Sequence, residues 1–249
     1  MPAGKSTEPS DSQPRRTALV TGGAKRIGRE LALTLARAGM DVAITFRGSV
    51  KEAAETARAI KAHGVRSLAL QMDVRSESSV RAAVNAVVKE FGRLDVLVNN
   101  AAIFESVPLA EISLDQWDAV FETNTRGPFL VAREALPHLK AAHGRIVNLG
   151  SLGGTHPWAT HGHYCSSKAA LHMLTQVMAK AFAPEVSVNC VAPGAIEFDK
   201  GPEAERFAAK TPMKRNGQPE DVAAAVLFFA TGPQFITGQI LTVDGGLGL

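Results

Sequence analysis

Short apolar runs alternate along the chain with longer stretches whose apolar residues recur every three or four positions. The runs predict strands at residues 17–20, 42–46, 67–71, 94–98, 145–149, 186–191 and 240–243. The longer stretches predict helices at residues 29–38, 51–62 and 76–91, and again before each later strand. Strands that alternate with helices form βαβ units. The pattern therefore indicates an α/β fold with a doubly wound parallel sheet and helices on both faces.

A single domain accounts for the pattern from residue 17 to residue 249, without a linker, a repeat or a low-complexity segment. Residues 1–16 are rich in proline, serine and charge, and they lack the apolar run of a secretory signal. We therefore expect a flexible leader followed by one domain. In an open parallel sheet, ligands bind beyond the carboxyl ends of the strands, so functional residues are expected directly after each strand.

Composition and charge argue against several classes of function. Of the 249 residues, 45% are apolar and 20% are charged, and the net charge of +3 is spread along the chain. The absence of a basic block argues against a nucleic-acid partner. No apolar run approaches the roughly 20 residues that span a membrane. The two cysteines, Cys165 and Cys190, are typical of a reducing compartment, so we expect a cytoplasmic protein.

The turn after the first strand is rich in glycine and opens the first helix. It reads Thr21-Gly22-Gly23-Ala24-Lys25-Arg26-Ile27-Gly28. Glycines here allow the backbone to approach a pyrophosphate, and the N–H groups at the start of the helix then face its negative charge. The motif predicts that a dinucleotide binds at Gly22, Lys25, Arg26, Ile27 and Gly28. A plain glycine turn is the alternative.

The end of the second strand predicts which dinucleotide binds. An acidic residue there would hydrogen-bond the ribose hydroxyls and repel a 2′-phosphate, whereas this chain carries Arg47 and Ser49. Arg47 can hold a phosphate in its planar fork, Ser49 can donate a hydrogen bond, and Lys25 and Arg26 add positive charge. NADP(H) is therefore the predicted cofactor, with a solvated Arg47 as the alternative.

Two further segments suit the adenine and ribose of such a cofactor. Asp73 and Val74 follow the third strand, where the Asp73 carboxylate can accept a hydrogen bond from the adenine amino group. Capping a helix is a common role for Asp at such a place and is the alternative. Asn100 and Ala101 follow the fourth strand, where small residues would let the backbone lie against the cofactor.

The most informative segment is Tyr164-Cys165-Ser166-Ser167-Lys168, at the start of a long predicted helix. Residues four apart share a helix face, so Tyr164 and Lys168 can point into one cleft. A tyrosine with a pKa near 10 is a poor acid–base group at neutral pH. A neighbouring ammonium together with an oxidised nicotinamide is expected to lower that pKa. Tyr164 would then be suited to exchange a proton with a substrate oxygen.

Two polar residues complete the candidate catalytic set. Ser151 directly follows the strand at residues 145–149 and can hold a substrate carbonyl beside Tyr164. Asn124 lies in the helical region after the fourth strand and can bind a water that links Lys168 to solvent. The alternatives are a turn position for Ser151, a surface position for Asn124 and a chance Tyr-x-x-x-Lys pair.

From residue 18 to residue 246 the motifs resemble those of the short-chain dehydrogenase/reductases. The resemblance rests on residues 21–28, Asp73, residues 99–101, Asn124, Ser151, Tyr164 with Lys168, Asn189, Pro193-Gly194, Thr237-Gly238 and residues 243–246. It implies a Rossmann-like sheet of about seven strands and a nicotinamide cofactor. It also implies a catalytic tetrad of Asn124, Ser151, Tyr164 and Lys168, with Lys168 on the nicotinamide ribose. Pro193, Gly194 and Ile196 would lie along the nicotinamide, and the protein would form a homotetramer or homodimer.

Several departures from the family pattern concern the substrate. Arg26 replaces the family's middle glycine, and together with residues 46–49 it resembles the pteridine reductases. Many of those enzymes carry Asp where this chain has Ser151. The remainder resembles 3-oxoacyl-acyl-carrier-protein reductases. Ala102 and Phe198 stand where the family has Gly and often Thr, and residues 199–210 are short for a substrate lid.

The resulting hypothesis is an NADPH-dependent oxidoreductase that transfers a hydride to a small carbonyl or imine, with Tyr164 as proton donor. A 3-oxoacyl thioester is one expected substrate, for which Arg126 and Arg133 would contact a carrier protein. A pterin, which Phe104 would sandwich, is another. A non-catalytic NADP-binding regulator is the alternative, although such a protein should have lost a tetrad residue.

Three histidines, His156, His161 and His163, precede Tyr164 closely in the sequence. They are expected to be solvated or to line the substrate, and no metal site is predicted from them.

Overall fold

The structure, a computed structural model, describes residues 15–198 and 201–249. The expected leader, residues 1–16, lies outside these ranges except for its last two residues. Arg16 packs onto the folded domain. Its guanidinium donates to the Ala230 carbonyl (2.8 Å), and its own carbonyl accepts from Asp41 N (2.9 Å). The folded part therefore starts at least one residue before the predicted boundary.

Seven parallel strands form one sheet in the order β3-β2-β1-β4-β5-β6-β7. They are β1 (Thr17–Val20), β2 (Asp41–Phe46), β3 (Ser67–Gln71), β4 (Val96–Asn99), β5 (Arg145–Leu149), β6 (Ser187–Pro193) and β7 (Ile240–Val243). Every pairing between neighbouring strands is parallel. The predicted doubly wound, Rossmann-like α/β fold is confirmed.

The helices of the described ranges lie between the strands. They are α1 (Arg26–Arg37), α2 (Val50–Lys61), α3 (Glu77–Phe91), α4 (Leu114–Phe121), α5 (Gly127–Ala141), α6 (Gly162–Phe182), α7 (Pro202–Lys210) and α8 (Pro219–Thr231). Local sequence explains several ends. Ser76 Oγ accepts from Ser79 N at the start of α3, and Gly92, with φ of 79°, ends that helix in the left-handed conformation.

Among the predicted boundaries that differ from the structure, two have clear local reasons. β4 begins at Val96 instead of residue 94, because the Asp95 carboxylate accepts from Thr17 N (2.8 Å) and pairs with Arg93 (2.6 Å). α1 begins at Arg26, three residues before the predicted start, since the glycine turn runs directly into the helix.

Apolar side chains fill the space on both faces of the sheet, as is usual for parallel sheets. One cluster joins α1 and α8 to the strands through residues such as Leu31 and Val226. The other joins α3, α5 and α6 through Val84, Leu139 and Met178. The strand order reverses between β1 and β4, which places the ligand crevice of this fold beyond their carboxyl ends.

None of the helices in residues 15–198 and 201–249 combines the length and the apolar character that crossing a membrane requires.

Candidate active site

The glycine turn after β1 is tied to the end of β4 by hydrogen bonds. Thr21 Oγ1 accepts from the backbone N–H groups of Asn100 (2.9 Å) and Ala101 (3.0 Å). The Asn100 side chain donates to the carbonyls of Thr21 (2.9 Å) and Gly22 (3.0 Å). The structure thus brings Gly22, Asn100 and Ala101 together at the point where the strand order reverses, as their sequence positions predicted.

Gly22 and Gly28 show most clearly why this turn needs glycine. Gly22 has φ of 64°, a left-handed conformation. A Cβ atom on Gly28 would lie 2.1 Å from the Gly22 carbonyl oxygen and 2.6 Å from Asn100 Nδ2, closer than atoms can pack. Only glycine at position 28 lets α1 begin in contact with the turn. This contact brings the backbone N–H groups at the start of α1 close to the crevice.

Arg26 occupies the position where the resembled family has its middle glycine, and it has φ of 52°. This left-handed conformation is unfavourable for a residue with a Cβ atom. Its guanidinium lies 5.2 Å from the centre of the Phe198 ring, on the far side of the crevice. Lys25 is exposed at the N-cap of α1, and no side chain caps the first turn that contains Ile27. The amide groups of that turn are therefore left for a ligand.

Arg47 is exposed after β2, as predicted, and Ser49 stands at the N-cap of α2 without capping it through its side chain. The two basic segments are neighbours, because Gly23 N donates to the Thr45 carbonyl (2.9 Å). No carboxylate follows β2 before α2. The end of β2 therefore presents positive charge to the crevice.

The Asp73 carboxylate is engaged by a residue that sequence reasoning missed. Arg75 forms an ion pair with it (2.7 Å) and donates a backbone N–H to it (3.0 Å). Hydrogen bonds from Arg75, with a smaller effect of nearby Arg47, lower the pKa of Asp73. The helix-cap alternative for Asp73 is wrong, since Ser76 caps α3. A free carboxylate for adenine was expected, whereas this one already has a cationic partner.

The remaining predicted cofactor residues lie along the same edge of the sheet. Val74 is buried, and a Cβ on Gly127, at the start of α5, would lie 2.9 Å from its side chain. Pro193 ends β6, and Gly194 N donates to the Val243 carbonyl (3.0 Å). Ile196 forms a parallel bridge with Gly217.

Tyr164 and Ser151 meet beyond β5. Ser151 is buried directly after that strand, where its hydroxyl accepts from Gly153 N (3.1 Å) and lies close enough to the Tyr164 phenol to lower its pKa. Ser151 does begin a short turn, which was the alternative, and its predicted role of holding a substrate carbonyl stays a prediction. The arrangement places a phenol and a serine hydroxyl side by side at the crevice.

Lys168 lies on the same helix face as Tyr164, with its Nζ atom 5.8 Å from the centre of the Tyr164 ring. The ammonium is buried and donates to the Leu149 carbonyl at the end of β5 (2.6 Å). Burial lowers the pKa of Lys168 to about 8. The Lys168 ammonium therefore lies next to the Tyr164 ring, while its hydrogen bond goes to the end of β5 and not to the phenol.

The lowering of the Tyr164 pKa that Lys168 and an oxidised nicotinamide are expected to cause together stays a prediction for the cofactor-bound protein. Burial raises the pKa of Tyr164, and the hydrogen bond with Ser151 offsets part of that rise. A phenolate that is partly removed from water loses hydration, and the Lys168 ammonium donates its hydrogen bond to the Leu149 carbonyl. In this state the phenol stays protonated at neutral pH.

Asn124 is fully buried within a π-helical segment, Glu122–Arg126, so a surface position is excluded. Its amide oxygen accepts from Ile103 N (2.8 Å), and its amide nitrogen donates to the Ile103 carbonyl (2.9 Å) and to Ser167 Oγ (3.1 Å). Interruptions of this kind in α-helices are frequent at functional sites. The Asn124 side chain clamps the loop after β4 to α6, and its polar atoms are satisfied by protein.

His172 was missed by sequence reasoning. It lies one helical turn beyond Lys168, and its buried ring fills the space beside two glycines. Cβ atoms on Gly150 and Gly154 would lie 2.4 and 2.5 Å from ring atoms. Its Nε2 atom is 3.5 Å from Ser151 N, and burial followed by the nearby Lys168 ammonium lowers the pKa of His172 to about 4. The glycines that flank Ser151 are the signal that could have indicated a bulky neighbour.

A second buried feature is a chain of polar side chains across the sheet. Asn99 donates to Asn148 (2.9 Å), which donates to Thr175 (2.9 Å), which in turn donates to the Leu171 carbonyl (2.8 Å). The chain fixes β4, β5 and α6 relative to one another. Only Asn99 stood out in the sequence, because it precedes Asn100.

The three histidines before Tyr164 do not converge. His156 and His161 each hydrogen-bond the preceding threonine through Nδ1 (3.0 Å). His163 is fully buried, with its Nε2 atom 3.8 Å from Glu105 Oε2. Over the part of the chain that the structure describes, no three His, Cys, Asp or Glu side chains are grouped to hold a metal.

The two arginines considered for a carrier protein are both paired with carboxylates. Arg126 bonds Glu122 (2.9 Å) and Arg133 bonds Glu77 (2.7 Å). Each of these arginines therefore has a carboxylate partner, which Arg133 shares with Arg81.

Comparison with known sequences gives matches over nearly the whole chain. The family model described as Enoyl-(Acyl carrier protein) reductase matches residues 22–248. The chain is 38% identical over 240 residues to the 3-oxoacyl-(acyl-carrier-protein) reductase FabG of Staphylococcus aureus, covering 93% of this chain and 98% of that protein.

Comparison with solved structures gives the same result. A short-chain dehydrogenase/reductase variant from Serratia marcescens superposes with a TM-score of 0.90 at 33% identity, covering 95% of this chain and 100% of that one. A blue fluorescent protein from a metagenomic library, solved in complex with NADPH, has a TM-score of 0.88 at 34% identity and covers 94% and 98% of the two chains.

Proposed function

Because the chain belongs to the short-chain dehydrogenase/reductase family, we propose that it reduces a small carbonyl compound with NADPH and that Tyr164 donates the proton. The chain is an oxidoreductase of this family with NADP(H) as its cofactor. The substrate and the roles of individual residues belong to the proposal.

One arrangement carries the proposal. The Tyr164 phenol lies beside the Ser151 hydroxyl beyond the end of β5, and Lys168 lies on the same helix face with its Nζ atom 5.8 Å from the ring centre. The glycine turn lies beyond β1, on the other side of the point where the strand order reverses. A proton donor and a dinucleotide-type turn thus border a single crevice.

The residues of the turn fit a dinucleotide phosphate. Gly28 lets the turn pack against the start of α1, since a Cβ atom there would collide with the Gly22 carbonyl, and the first turn of α1 keeps its N–H groups free of side-chain caps. Arg47 has no acidic neighbour in its loop and would hold the 2′-phosphate, assisted by Ser49 and Lys25. This combination of free amides and positive charge favours NADP(H) over NAD(H).

Reduction of a carbonyl adds a hydride to carbon and a proton to oxygen; bound NADPH supplies the hydride, and this chain must supply the proton. Tyr164 holds that proton, since its raised pKa keeps the phenol neutral. Ser151 is placed to hydrogen-bond the carbonyl oxygen beside the phenol. The charge of Lys168 would stabilise the phenolate that remains after the transfer.

Asn124 has a positioning role in this proposal. Its side chain holds Ile103 and Ser167, and Ser167 Oγ donates to the Tyr164 carbonyl (2.7 Å). The expected water relay to Lys168 would have to use groups other than this amide, because protein partners already occupy it.

Two substrate classes deserve direct comparison. A 3-oxoacyl thioester is suggested by the relatives, several of which are named 3-oxoacyl-(acyl-carrier-protein) reductases. A pterin is suggested by the Phe104 ring, which contacts the Tyr164 ring at 4.8 Å between centres, and by the resemblance of the cofactor loops. A regulator without turnover is the weakest candidate, because all four tetrad residues are present.

Replacing Tyr164 by Phe tests the proposal. Loss of the proton donor is expected to lower kcat by roughly a thousandfold, while NADPH binding, followed by cofactor fluorescence, persists. Ser166→Ala, an exposed change in the same helical turn, is the matched control and should retain activity. A Tyr164→Phe enzyme with wild-type turnover on a panel of ketones would refute the role of the phenol.

We propose a homotetramer as the assembly. Large apolar side chains are exposed on two separate surfaces, Met173 and Val177 on α6 and Phe228 and Leu241 on α8 and β7. Two apolar surfaces are what an assembly with two kinds of interface requires. A cytoplasmic location stays a prediction from the two cysteines, which are both free thiols.

A further inference from the structure

Two rings, Phe104 and Trp158, pack against the Tyr164 ring, and the His161 ring packs against both of them. The Phe104 ring meets the Tyr164 ring edge-on, with 4.8 Å between centres and 87° between planes. The Trp158 ring lies nearly parallel to it, at 6.3 Å and 10°. His161 stacks on Phe104 at 4.8 Å and meets Trp158 edge-on at 5.6 Å. We call Phe104, Trp158, His161 and the Tyr164 ring the aromatic recess.

The backbone on both sides of the recess is fixed. Asn124 binds both the N–H and the carbonyl of Ile103, the residue directly before Phe104. Val107 N donates to the Thr160 carbonyl (2.8 Å), which ties the Phe104 loop to the loop that carries Trp158 and His161. The rings are therefore presented by two loops that are tied to each other, to the π-helical segment Glu122–Arg126 and, through Ser167, to α6.

The recess remains open although its members touch one another. Phe104 is 60% exposed, and Trp158 and His161 are partly exposed. A large apolar ring that stays exposed next to a reactive hydroxyl, on a clamped backbone, is typical of a ligand surface. The exposed ring area adjoins the position where a carbonyl oxygen must lie to reach Tyr164.

The charges around the recess argue against an acidic occupant. Glu105 follows Phe104 and is more than two-fifths exposed. The arginines on the neighbouring helices that could attract an acidic carrier protein, Arg126 and Arg133, are paired with Glu122 and Glu77. An uncharged ligand meets no electrostatic penalty at this surface, whereas an anionic one meets the Glu105 carboxylate.

From these observations, and resting on the proposed carbonyl-reducing function, we propose that the aromatic recess selects an uncharged carbonyl compound whose carbonyl is attached to a flat aromatic ring. The ring packs against Phe104 and Trp158, and the carbonyl oxygen points to the Tyr164 and Ser151 hydroxyls. Aromatic rings pack on one another through both apolar contact and the complementarity of ring edges and faces. A saturated ring of the same size offers only the apolar contact.

Binding of two inert amides tests the recess without turnover. Benzamide and cyclohexanecarboxamide have the same uncharged carbonyl and ring size, and only benzamide is flat. Ligand-observed NMR on the NADP⁺-saturated protein is expected to give benzamide a dissociation constant roughly fivefold lower. Phe104→Leu and Trp158→Leu should each remove most of that preference. Phe235→Leu, the same kind of change at a fully exposed ring, should leave it intact.

Turnover gives a second readout. Ethyl benzoylformate and ethyl cyclohexylglyoxylate share one ketoester and differ in ring flatness. The ratio of their kcat/KM values should fall roughly fivefold in Phe104→Leu and in Trp158→Leu. The intrinsic reactivity of each ketone cancels in this comparison, because every variant meets the same two compounds.

The outcomes separate the two proposals. A flat-ring preference that depends on Phe104 and Trp158 in binding supports the recess even if no ketone is reduced, in which case the proposed reductase function fails alone. Equal binding of the two amides, or a preference that both leucine variants retain, overturns the recess. If Tyr164→Phe still abolishes reduction of other ketones, the reductase function then stands without it.

Discussion

The two sides of the crevice are formed by different kinds of chemical group. Beyond β1 and β2 the site consists mainly of backbone: a glycine turn, the free N–H groups of a helix start, and exposed charges such as Arg47. Beyond β4 and β5 it consists of buried side chains, among them Asn124, Ser151 and Lys168. The first side is suited to hold a charged phosphate, and the second is suited to hold a proton away from water.

The difference determines what each side tolerates. On the cofactor side the requirement is space, so one added methyl group is the most damaging change. On the chemical side the requirement is the correct partner for each buried polar group, so the damaging changes are those that remove a partner or shift a pKa. Each of the following substitutions changes one side of the crevice, and the measurements show whether the other side is affected.

Gly28→Ala should have the largest effect. The new Cβ would lie 2.1 Å from the Gly22 carbonyl, and neither backbone segment can move without opening the turn. We expect a loss of about 3 kcal/mol of stability and a fall in NADPH affinity of roughly a hundredfold, measured by chemical denaturation and cofactor fluorescence. Gly48→Ala is the matched control, because nothing lies within 4 Å of its added Cβ and its backbone is unstrained. Equal behaviour of the two variants would show that the turn is not constrained.

His172→Leu tests the chemical side through stability. The folded protein holds the pKa of His172 at about 4, below its ordinary 6.5, so between these values the unfolded chain binds a proton that the folded chain does not. Stability therefore falls as the pH is lowered from 6.5 to 4, by about 3 kcal/mol from this residue. The His172→Leu variant should lack this residue's contribution to the loss of stability between pH 6.5 and 4.

The pH profile of unfolding by urea measures this effect. His63→Leu, which removes an exposed histidine, serves as the control and should keep the profile of the wild type. A His172→Leu profile that parallels the wild type throughout this range would mean that His172 is not held neutral. NADPH binding should be unaffected by either change.

Arg47→Asp should have the smallest of these effects and act on cofactor choice alone. The planar guanidinium is replaced by a carboxylate that repels a 2′-phosphate and can accept from ribose hydroxyls. The ratio of kcat/KM for NADPH to that for NADH should fall at least about tenfold, with kcat on NADPH little changed. Arg58→Asp, an exposed charge reversal at the other end of α2, is the control. An unchanged ratio would place the 2′-phosphate elsewhere.

The same contrast explains how far the sequence could be read. Strands, glycine turn and strand-end residues follow from local pattern, so Gly22, Gly28, Ser151 and Tyr164 were found in their places. Arg75 was missed because its ion pair with Asp73 depends on the direction of two side chains. His172 was missed because Gly150, Ser151 and Gly154, which its ring contacts, are distant from it in the sequence. Spacing also shows that an ammonium lies near Tyr164 and does not show that it donates to Leu149, so the lowering of the Tyr164 pKa expected with an oxidised nicotinamide stays a prediction.

Titration of Tyr164 tests the central claim most directly, because it is the only tyrosine of the chain. Tyrosinate absorbance of the cofactor-free protein therefore reports this phenol without interference. We expect its pKa to lie above the ordinary 10, and to rise further in Ser151→Ala, which removes the hydrogen bond that opposes the effect of burial. A Tyr164 that ionises at or below its ordinary value in the free protein, or that ignores the loss of Ser151, would contradict a buried phenol held protonated for transfer.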